Sequence, residues 1–351
     1  MPRRRGGVTI KHVAADAGVS LQTVSRVINN EPNVRPEMAE RVQAAIDRLG
    51  YVPLIAAQRM GGSKSRLILA LNDRDRTIAG WRNREGTDWV DQMLLGGMLT
   101  CGAHGYRLIL ELVDTHSDHI ERELSATIGA LQPDGVILTP PHSQDLVILN
   151  LLAKRGISIA RIGSLTPDPG FCLTMDDEAA ARLATGHLLD LGHRRIGFIK
   201  GSDDYELSGW RVTGWRAAMD AAGLVADLIE PGDFDYASGR TAAGALLDAT
   251  DPPTAIIASS DQMAIATLDV ALERGLAVPH DLSIISFDDT PIARYASPPL
   301  TAVTQPIAAV VAEAVERIIA EQHGARLSIE PKSVPAQLTV RASTSPPRSI
   351  G

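Results

Sequence analysis

Five side chains, Leu21, Gln22, Ser25, Arg26 and Asn29, share one face of a short helical stretch whose opposite face carries Val24, Val27 and Ile28. Such a face can read nucleic acid. Gln offers adenine a bidentate pair of hydrogen bonds, Arg does the same for guanine, and Leu has only an apolar contact for a thymine methyl. Far downstream, polar residues follow apolar runs at Asn72-Asp73, Gly201-Ser202, Ser260-Asp261 and Asp288-Asp289, which is where open α/β sheets bind ligands, beyond the carboxyl ends of their strands. Reaction chemistry is not expected. The adjacent carboxylates Asp176-Asp177, Asp203-Asp204 and Asp288-Asp289 do not make a dyad, because neighbours on extended chain point apart. No GxGxxG follows a strand, and no Walker A, GxSxG or HExxH pattern occurs. Cys101 and Cys172 are too few for a disulfide scaffold or a zinc site. The expectation is therefore no catalytic residue, no metal and no cofactor.

The elements that must position the first set are legible. Ile10, Val13, Ala14 and Ala17 recur at helical spacing after the capping residue Thr9, and Gly18 stops that helix. Ser20 then caps a second helix at once. Two short helices around Gly18-Val19-Ser20 form a helix-turn-helix, whose second helix lies in a major groove. Pro36 to Leu49 supplies a third helix with Ala39, Val42, Ile46 and Leu49 on one face, stopped by Gly50. His12 stands where a carboxylate would complete a capping box with Thr9.

Charge divides the chain in the same way. The 351 residues carry a formal charge of -8, yet the first 64 hold 10 basic and 5 acidic residues, leaving 24 and 37 in the remainder. A small basic domain joined to a large acidic one suggests that only the first meets a polyanion. With 44% apolar and 22% charged residues the composition is that of a globular protein with a sizeable core. No apolar run of about 18 residues exists to span a bilayer, and no apolar h-region follows the basic N-terminus, so no membrane partner and a cytoplasmic location are expected.

The run VTIKHVAADAGVSLQTVSRVINNEPNVRPEMAERVQAAIDRLGYVPLIAAQRM strongly resembles the DNA-binding headpiece of the LacI/GalR family of bacterial transcription regulators, without a gap over about 50 residues. The resemblance implies that Leu21, Gln22 and Arg26 contact bases and that Ser20, Thr23, Ser25 and Asn29 contact phosphates, which position the helix without reading sequence. It also implies that Pro53 to Gly62 is a hinge helix entering the minor groove, with Met60 at the position of the family's leucine wedge. About eight residues are too few for a helix that stands alone in water, so DNA and a second copy must hold it. The expected partners are a pseudopalindromic double-stranded operator and a second copy of the chain. The tail ASTSPPRSIG has no apolar heptad and two prolines, so assembly beyond a homodimer is not expected and the tail reads as a loose end.

From Arg66 onward, LILAL, RLILELV, GVILT, SIARI, RIGFIK, AIIAS and SIISF alternate with amphipathic stretches such as Asp118 to Leu131, Glu178 to Leu191 and Gln262 to Glu273. Alternation of this kind gives parallel sheets covered on both faces. Gly96-x8-Gly105 is echoed by Gly214-x8-Gly223, a sign of two similar lobes. The fold class is thus α/β, two doubly wound lobes behind a small all-α domain. The boundaries fall at 1–52 for the headpiece, 53–65 for the hinge, 66–345 for the large domain and 346–351 for the tail. Within the large domain, residues 66–174 plus 305–334 form one lobe and 175–304 plus 335–345 the other.

HLLDLGHRRIGFIKG and SSDQMAIATLDVALERGLAVPHDLSIISFDDTPIARYASPPLTAVTQP extend the family resemblance to a periplasmic-binding-protein-like effector domain. The effector contacts it implies are Arg211, Phe234, Ser260, Asp261, Asp288 and Gln305. Many relatives carry Asn at the position of Ser260, which leaves its hydrogen bonds open. An arginine, a carboxylate and one aromatic plate suit a sugar, so the expected effector is a small molecule of carbohydrate type controlling a repressor. Each residue also has a plainer reading. Asp261 can cap the next helix, Asp288 to Pro291 can be a turn, Phe234 can be core and Arg211 can be a solvated surface residue. The Trp- and Arg-rich segment from Asn72 to Gln92 is either a modified ligand wall or an exposed charged loop.

Overall fold

Apolar runs that are buried on both faces become central strands, and the helices between them cover the sheets. The computed structural model describes residues 8–28, 34–51, 65–83, 88–166, 169–328 and 330–348. The chain divides into the units Met1–Arg66 and Leu67–Gly351.

The first unit holds α1 (Ile10–Ala17), α2 (Leu21–Ile28) and α3 (Pro36–Leu49). Val13, Ala14, Ala17, Val24, Val42, Ala45 and Tyr51 close a small core. Ala45 takes the inner position on α3 and Ile46 sits at its margin. Gly18 ends α1 at φ +63, and a Cβ there would lie 2.9 Å from Arg41 Nη2, the nitrogen that donates to the Ala17 carbonyl at 2.5 Å. The gap expected at His12 is filled: its Nδ1 accepts the Thr9 N–H at 3.1 Å, so the imidazole takes the carboxylate's part in the box. Asn29 and the segment Pro53 to Gly62, with Met60, lie outside the described residues.

The second unit is built on two sheets. One contains β1 (Leu67–Asp73), β2 (Arg107–Val113), β3 (Gly135–Leu138), β4 (Ser158–Ile162), β5 (Phe171–Thr174) and β11 (Lys332–Ser333), in the order β11-β5-β4-β3-β1-β2. The other contains β6 (Ile196–Ile199), β7 (Ile229–Glu230), β8 (Ala255–Ala258), β9 (Ser283–Asp288), β10 (Thr301–Thr304) and β12 (Gln337–Thr339), in the order β12-β10-β9-β8-β6-β7. The described pairs are parallel except β10 with β12. This is the expected α/β class of two doubly wound lobes behind a small helical unit.

Helices α4 (Arg74–Asn83), α5 (Asp88–Ala103), α6 (Ile120–Leu131) and α7 (Leu146–Lys154) follow strands of the first sheet. Helices α8 (Asp177–Asp190), α9 (Glu206–Ala221), α10 (Tyr236–Leu247), α11 (Asp261–Glu273) and α12 (Pro291–Tyr295) serve the second. The chain then returns to the first lobe as α13 (Ile307–Gln322), which buries Val310, Val311, Ala314, Val315 and Ile318 in its core. The chain therefore crosses between the lobes three times, after β5, after β10 and after β11. The glycine echo has a packing cause. A Cβ on Gly96 of α5 would fall 2.0 Å from the Ala308 carbonyl oxygen of α13, and one on Gly214 of α9 would fall 2.1 Å from the Glu178 oxygen of α8.

One open alternative is decided and one expectation fails. Described residues between Asn72 and Gln92 are mostly helical, in α4 and the start of α5, so the segment is not simply an exposed loop. The tail is not loose through Arg348. Ser343 Oγ donates to the Ile284 carbonyl at 2.6 Å and accepts the Thr301 N–H at 2.7 Å. The Ser345 carbonyl accepts from Ser283 Oγ at 3.1 Å, and Arg348 pairs with Asp281. Serines and threonines without an apolar pattern give no sequence signal for this seam of hydrogen bonds.

Candidate functional site: recognition helix and interlobe cleft

The turn before α2 fixes the face that α2 presents. Ser20 Oγ accepts the Thr23 N–H at 3.1 Å and lies 2.9 Å from the Thr23 hydroxyl, so the capping bond satisfies one of the orphan donors of the first turn. Val24 is fully buried, Val27 and Ile28 are half-buried, and Leu21, Gln22 and Arg26 are exposed on the other side. Ser25 is half-buried. The Arg48–Asp16 pair at 2.5 Å ties α3 to α1 behind this face.

In the large unit, Arg211 projects from α9 into a buried polar group. Its Nε donates to Asp177 Oδ1 and its Nη1 to the Ser259 carbonyl, both at 2.8 Å, and its Cζ lies 4.4 Å from the Phe287 ring centroid. Only 2% of Arg211 is exposed, which rules out the solvated-surface reading. Asp177, at the first turn of α8, was not singled out by sequence beyond its place in a carboxylate pair. Its other oxygen, Oδ2, is buried without a hydrogen-bond partner.

Asp288 ends β9 at φ +98 and Asp289 follows at φ +59. The premise that adjacent carboxylates sit on extended chain therefore fails here, as it does at Asp176, φ +55. The two side chains still part: Asp288 Oδ1 accepts Gln305 Nε2 at 2.6 Å, whereas Asp289 pairs with Arg341 at 2.5 Å. The carboxylate near Asp288 comes instead from the helix that follows the neighbouring strand β8. Asp261, at the start of α11, accepts the Thr290 N–H through Oδ2 at 2.6 Å and is also held by the Ser286 hydroxyl, while Gln305 Oε1 is buried without a partner. Burial, and then the charge of Asp288, push Asp261 up to about 7. Burial likewise pushes Asp288 up to about 6 against the opposing pull of Arg211. Ser260, not Asp261, caps α11, because its Oγ accepts the Met263 N–H at 3.2 Å.

Ser260 Oγ also donates to the Phe234 carbonyl at 2.9 Å. Phe234 sits at φ +61 and is half-buried, with its ring edge-on to Tyr205 at 5.5 Å. Arg211, Asp261, Asp288 and Gln305 thus form one polar group, and Ser260 with Phe234 a second on the same lobe. Arg76, Tyr205 and Asp233 border the second group and had no sequence signal beyond the Arg-rich composition around Arg76. Burial raises the Asp88 carboxyl of α5 in the first lobe, and the charge of Asp88 in turn opposes ionisation of Asp288. Arg76 of α4 in the first lobe bonds Asp233 of the second, so the two lobes face each other beside this polar set.

The bacterial regulatory protein, lacI family model matches residues 9–53, and the periplasmic binding protein-like domain model matches residues 185–344. HTH-type transcriptional regulator DegA of Bacillus subtilis is 34% identical, covering 96% of this chain and 98% of the relative. HTH-type transcriptional repressor CytR of Escherichia coli is 30% identical over 97% and 98%. The lac repressor dimer bound to operator and the anti-inducer ONPF superposes with TM-score 0.81 at 26% identity, covering 97% of this chain and 100% of that one. The transcriptional regulator CelR–cellobiose complex does so with TM-score 0.72 at 30% identity, over 96% and 99%. The exposed face of α2, the two-lobed unit and these likenesses along nearly the whole chain have one reading: the protein belongs to the lacI family of bacterial regulatory proteins and is a DNA-binding transcriptional regulator.

Proposed function

We propose that this regulator is a cytoplasmic, homodimeric repressor without catalytic activity, whose affinity for a pseudopalindromic operator is set by a carbohydrate held between the two lobes. The observation that carries the effector reading is the pair of buried acceptors without donors, Asp177 Oδ2 and Gln305 Oε1. Buried acceptors left open cost stability, and a ligand rich in hydroxyl donors relieves that cost. Arg211 and Asp288 then hold hydroxyls, Asp261, Ser260 and Gln305 frame them, and Phe234 offers a ring face. On the DNA side, Leu21, Gln22 and Arg26 contact base edges, Ser20, Thr23, Ser25 and Asn29 contact phosphates, and Met60 enters the minor groove.

Two observations support the dimer. Leu95, Met98 and Leu99 form an exposed apolar stripe on α5, and Leu272 and Tyr295 are 74% and 86% exposed on the other lobe. Among the described residues no helix is long and apolar enough to cross a membrane. The test is operator selection from random DNA with the full chain, followed by fluorescence anisotropy on the selected duplex with and without a panel of mono- and disaccharides that includes cellobiose. The expected result is a two-fold symmetric site with half-sites about one helical turn apart, a steep fall of affinity with salt, and a change in affinity with one class of sugar. A site without two-fold symmetry, or no response to any sugar, contradicts the reading.

A further inference from the structure

Arg76 reaches from α4 of the first lobe to the second. Its Nη2 donates to Asp233 Oδ1 and its Nη1 to the Asp233 carbonyl, both at 2.7 Å. Its Cζ lies 5.3 Å from the Tyr205 ring centroid and 5.6 Å from that of Phe234. Both ends of this contact are held. The Arg76 N–H donates to Asp73 Oδ1 at 2.7 Å, which fixes it to the carboxyl end of β1. The Asp233 N–H donates to Ser238 Oγ at 2.9 Å, which fixes it to the first turn of α10. A planar fork on one carboxylate and one carbonyl, with aromatic rings against its face, is a geometry that arginine fills and lysine does not.

We infer that Arg76 is a positioning residue that latches the two lobes together in the absence of ligand, with Asp233 as its catch and the Tyr205 and Phe234 rings as its seat. A latch of this kind sets how much differential affinity an effector must supply to move the lobes. The latch follows from contacts within the large unit, and its regulatory meaning rests on the effector reading above.

The test uses the full chain without sugar. Nitroxide labels on Glu121→Cys of α6 and Asp220→Cys of α9, both exposed positions, report the interlobe distance by pulsed electron resonance, and the native Cys101 and Cys172 are buried. The parent should give one short distance. Arg76→Met, which keeps the stem and loses the fork, should move the closed-to-open ratio about tenfold, equivalent to about 1.4 kcal/mol, and Asp233→Ala, which keeps the carbonyl acceptor, by less. The double variant should move it no further than Arg76→Met alone, and Arg76→Lys should restore only part. A parent-like distribution in Arg76→Met, or additive shifts in the double variant, overturns the latch. Operator anisotropy on the unlabelled parent, with and without the sugar panel, separates the two readings: operator binding that answers to no sugar refutes the effector reading and leaves the distance result standing.

Discussion

Replacing Arg211 with methionine tests whether the polar group beneath the cleft is a structural ion pair, a ligand clamp or both. The Arg211 and Asp177 side chains are 3% and 2% exposed, so their pairing is not weakened by solvent. Removing only the cation leaves a buried carboxylate whose Oδ2 already has no partner, and takes the donor from the Ser259 carbonyl. Breaking one side of a buried pair costs about 3–5 kcal/mol, and the lost seat on Phe287 adds roughly 1 kcal/mol. Arg211→Met should therefore lose about 4 kcal/mol or more, a large share of the 5–15 kcal/mol typical of a domain.

Adding Asp177→Asn neutralises the orphaned charge. The double variant should regain most of the loss, since exchanging a whole buried pair for neutral groups is often without cost. Urea unfolding followed by near-ultraviolet circular dichroism reads this directly. With a slope of roughly 3 kcal/mol/M, the single variant's midpoint should fall by about 1 M and the double variant's should return toward the parent. Equal midpoints in the single and double variants would refute the coupling. If the double variant folds and binds operator yet ignores the sugar that the parent answers to, the Arg211–Asp177 pair also contacts the effector, through Asp177 Oδ2 or through Arg211. Two of its three guanidinium nitrogens already bond within the protein, so such a contact would fall to Nη2.

The remaining predictions concern other elements. The Asp261 carboxyl is raised to about 7 in the folded chain, so its favourable contribution is complete below about pH 4 and is lost as pH rises toward 7. Asp261→Asn should be more stable than the parent at pH 8, by an amount on the order of a few kcal/mol; parallel stability–pH curves from pH 4 to 8 would contradict this. Gly18→Ala places a Cβ in left-handed backbone against Arg41, at a cost of about 1–2 kcal/mol, and should lower both headpiece melting and operator affinity; an unchanged melt would count against the turn geometry. Truncation after Arg341 removes the partners of the Ile284 N–H, the Ile284 carbonyl and the Thr301 N–H, at about 1–3 kcal/mol each. It should lower the unfolding midpoint markedly, so sedimentation tests of the dimer belong on the full chain; an unaltered midpoint would return the tail to a loose end.

What the sequence disclosed was what is written locally. LILAL, SIARI and SIISF announce strands because buried parallel strands are continuous apolar runs, and Gly18-Val19-Ser20 announces a turn because each residue has a local backbone role. Phe171–Thr174 and Thr301–Thr304 gave no comparable signal, since four-residue strands with polar ends are not distinguishable from loop. The six residues expected in the cleft all lie on the second lobe or at its crossing. Their partners were hidden by distance along the chain: Asp177 is 34 residues from Arg211, and Asp233 is 157 from Arg76. Positive φ at Phe234, Asp288 and Asp289 was invisible as well, because composition marks such backbone only where it is glycine.

The return of α13 to the first lobe has a consequence for how the protein is made. Val310, Val311, Ala314, Val315 and Ile318 complete the core around β1, β3, β4 and β5, yet they leave the ribosome about 140 residues after β5. At about 5–20 residues per second the nascent first lobe waits roughly 7–30 s with one flank of its sheet uncovered. The second lobe, whose strands β6 to β10 and helices α8 to α12 emerge in an unbroken stretch, gains nearly all of its layers first. The second lobe then lacks only β12 and the tail seam, which emerge last, whereas the first lobe waits for a whole helix, and its open flank is where a nascent-chain chaperone has most to cover.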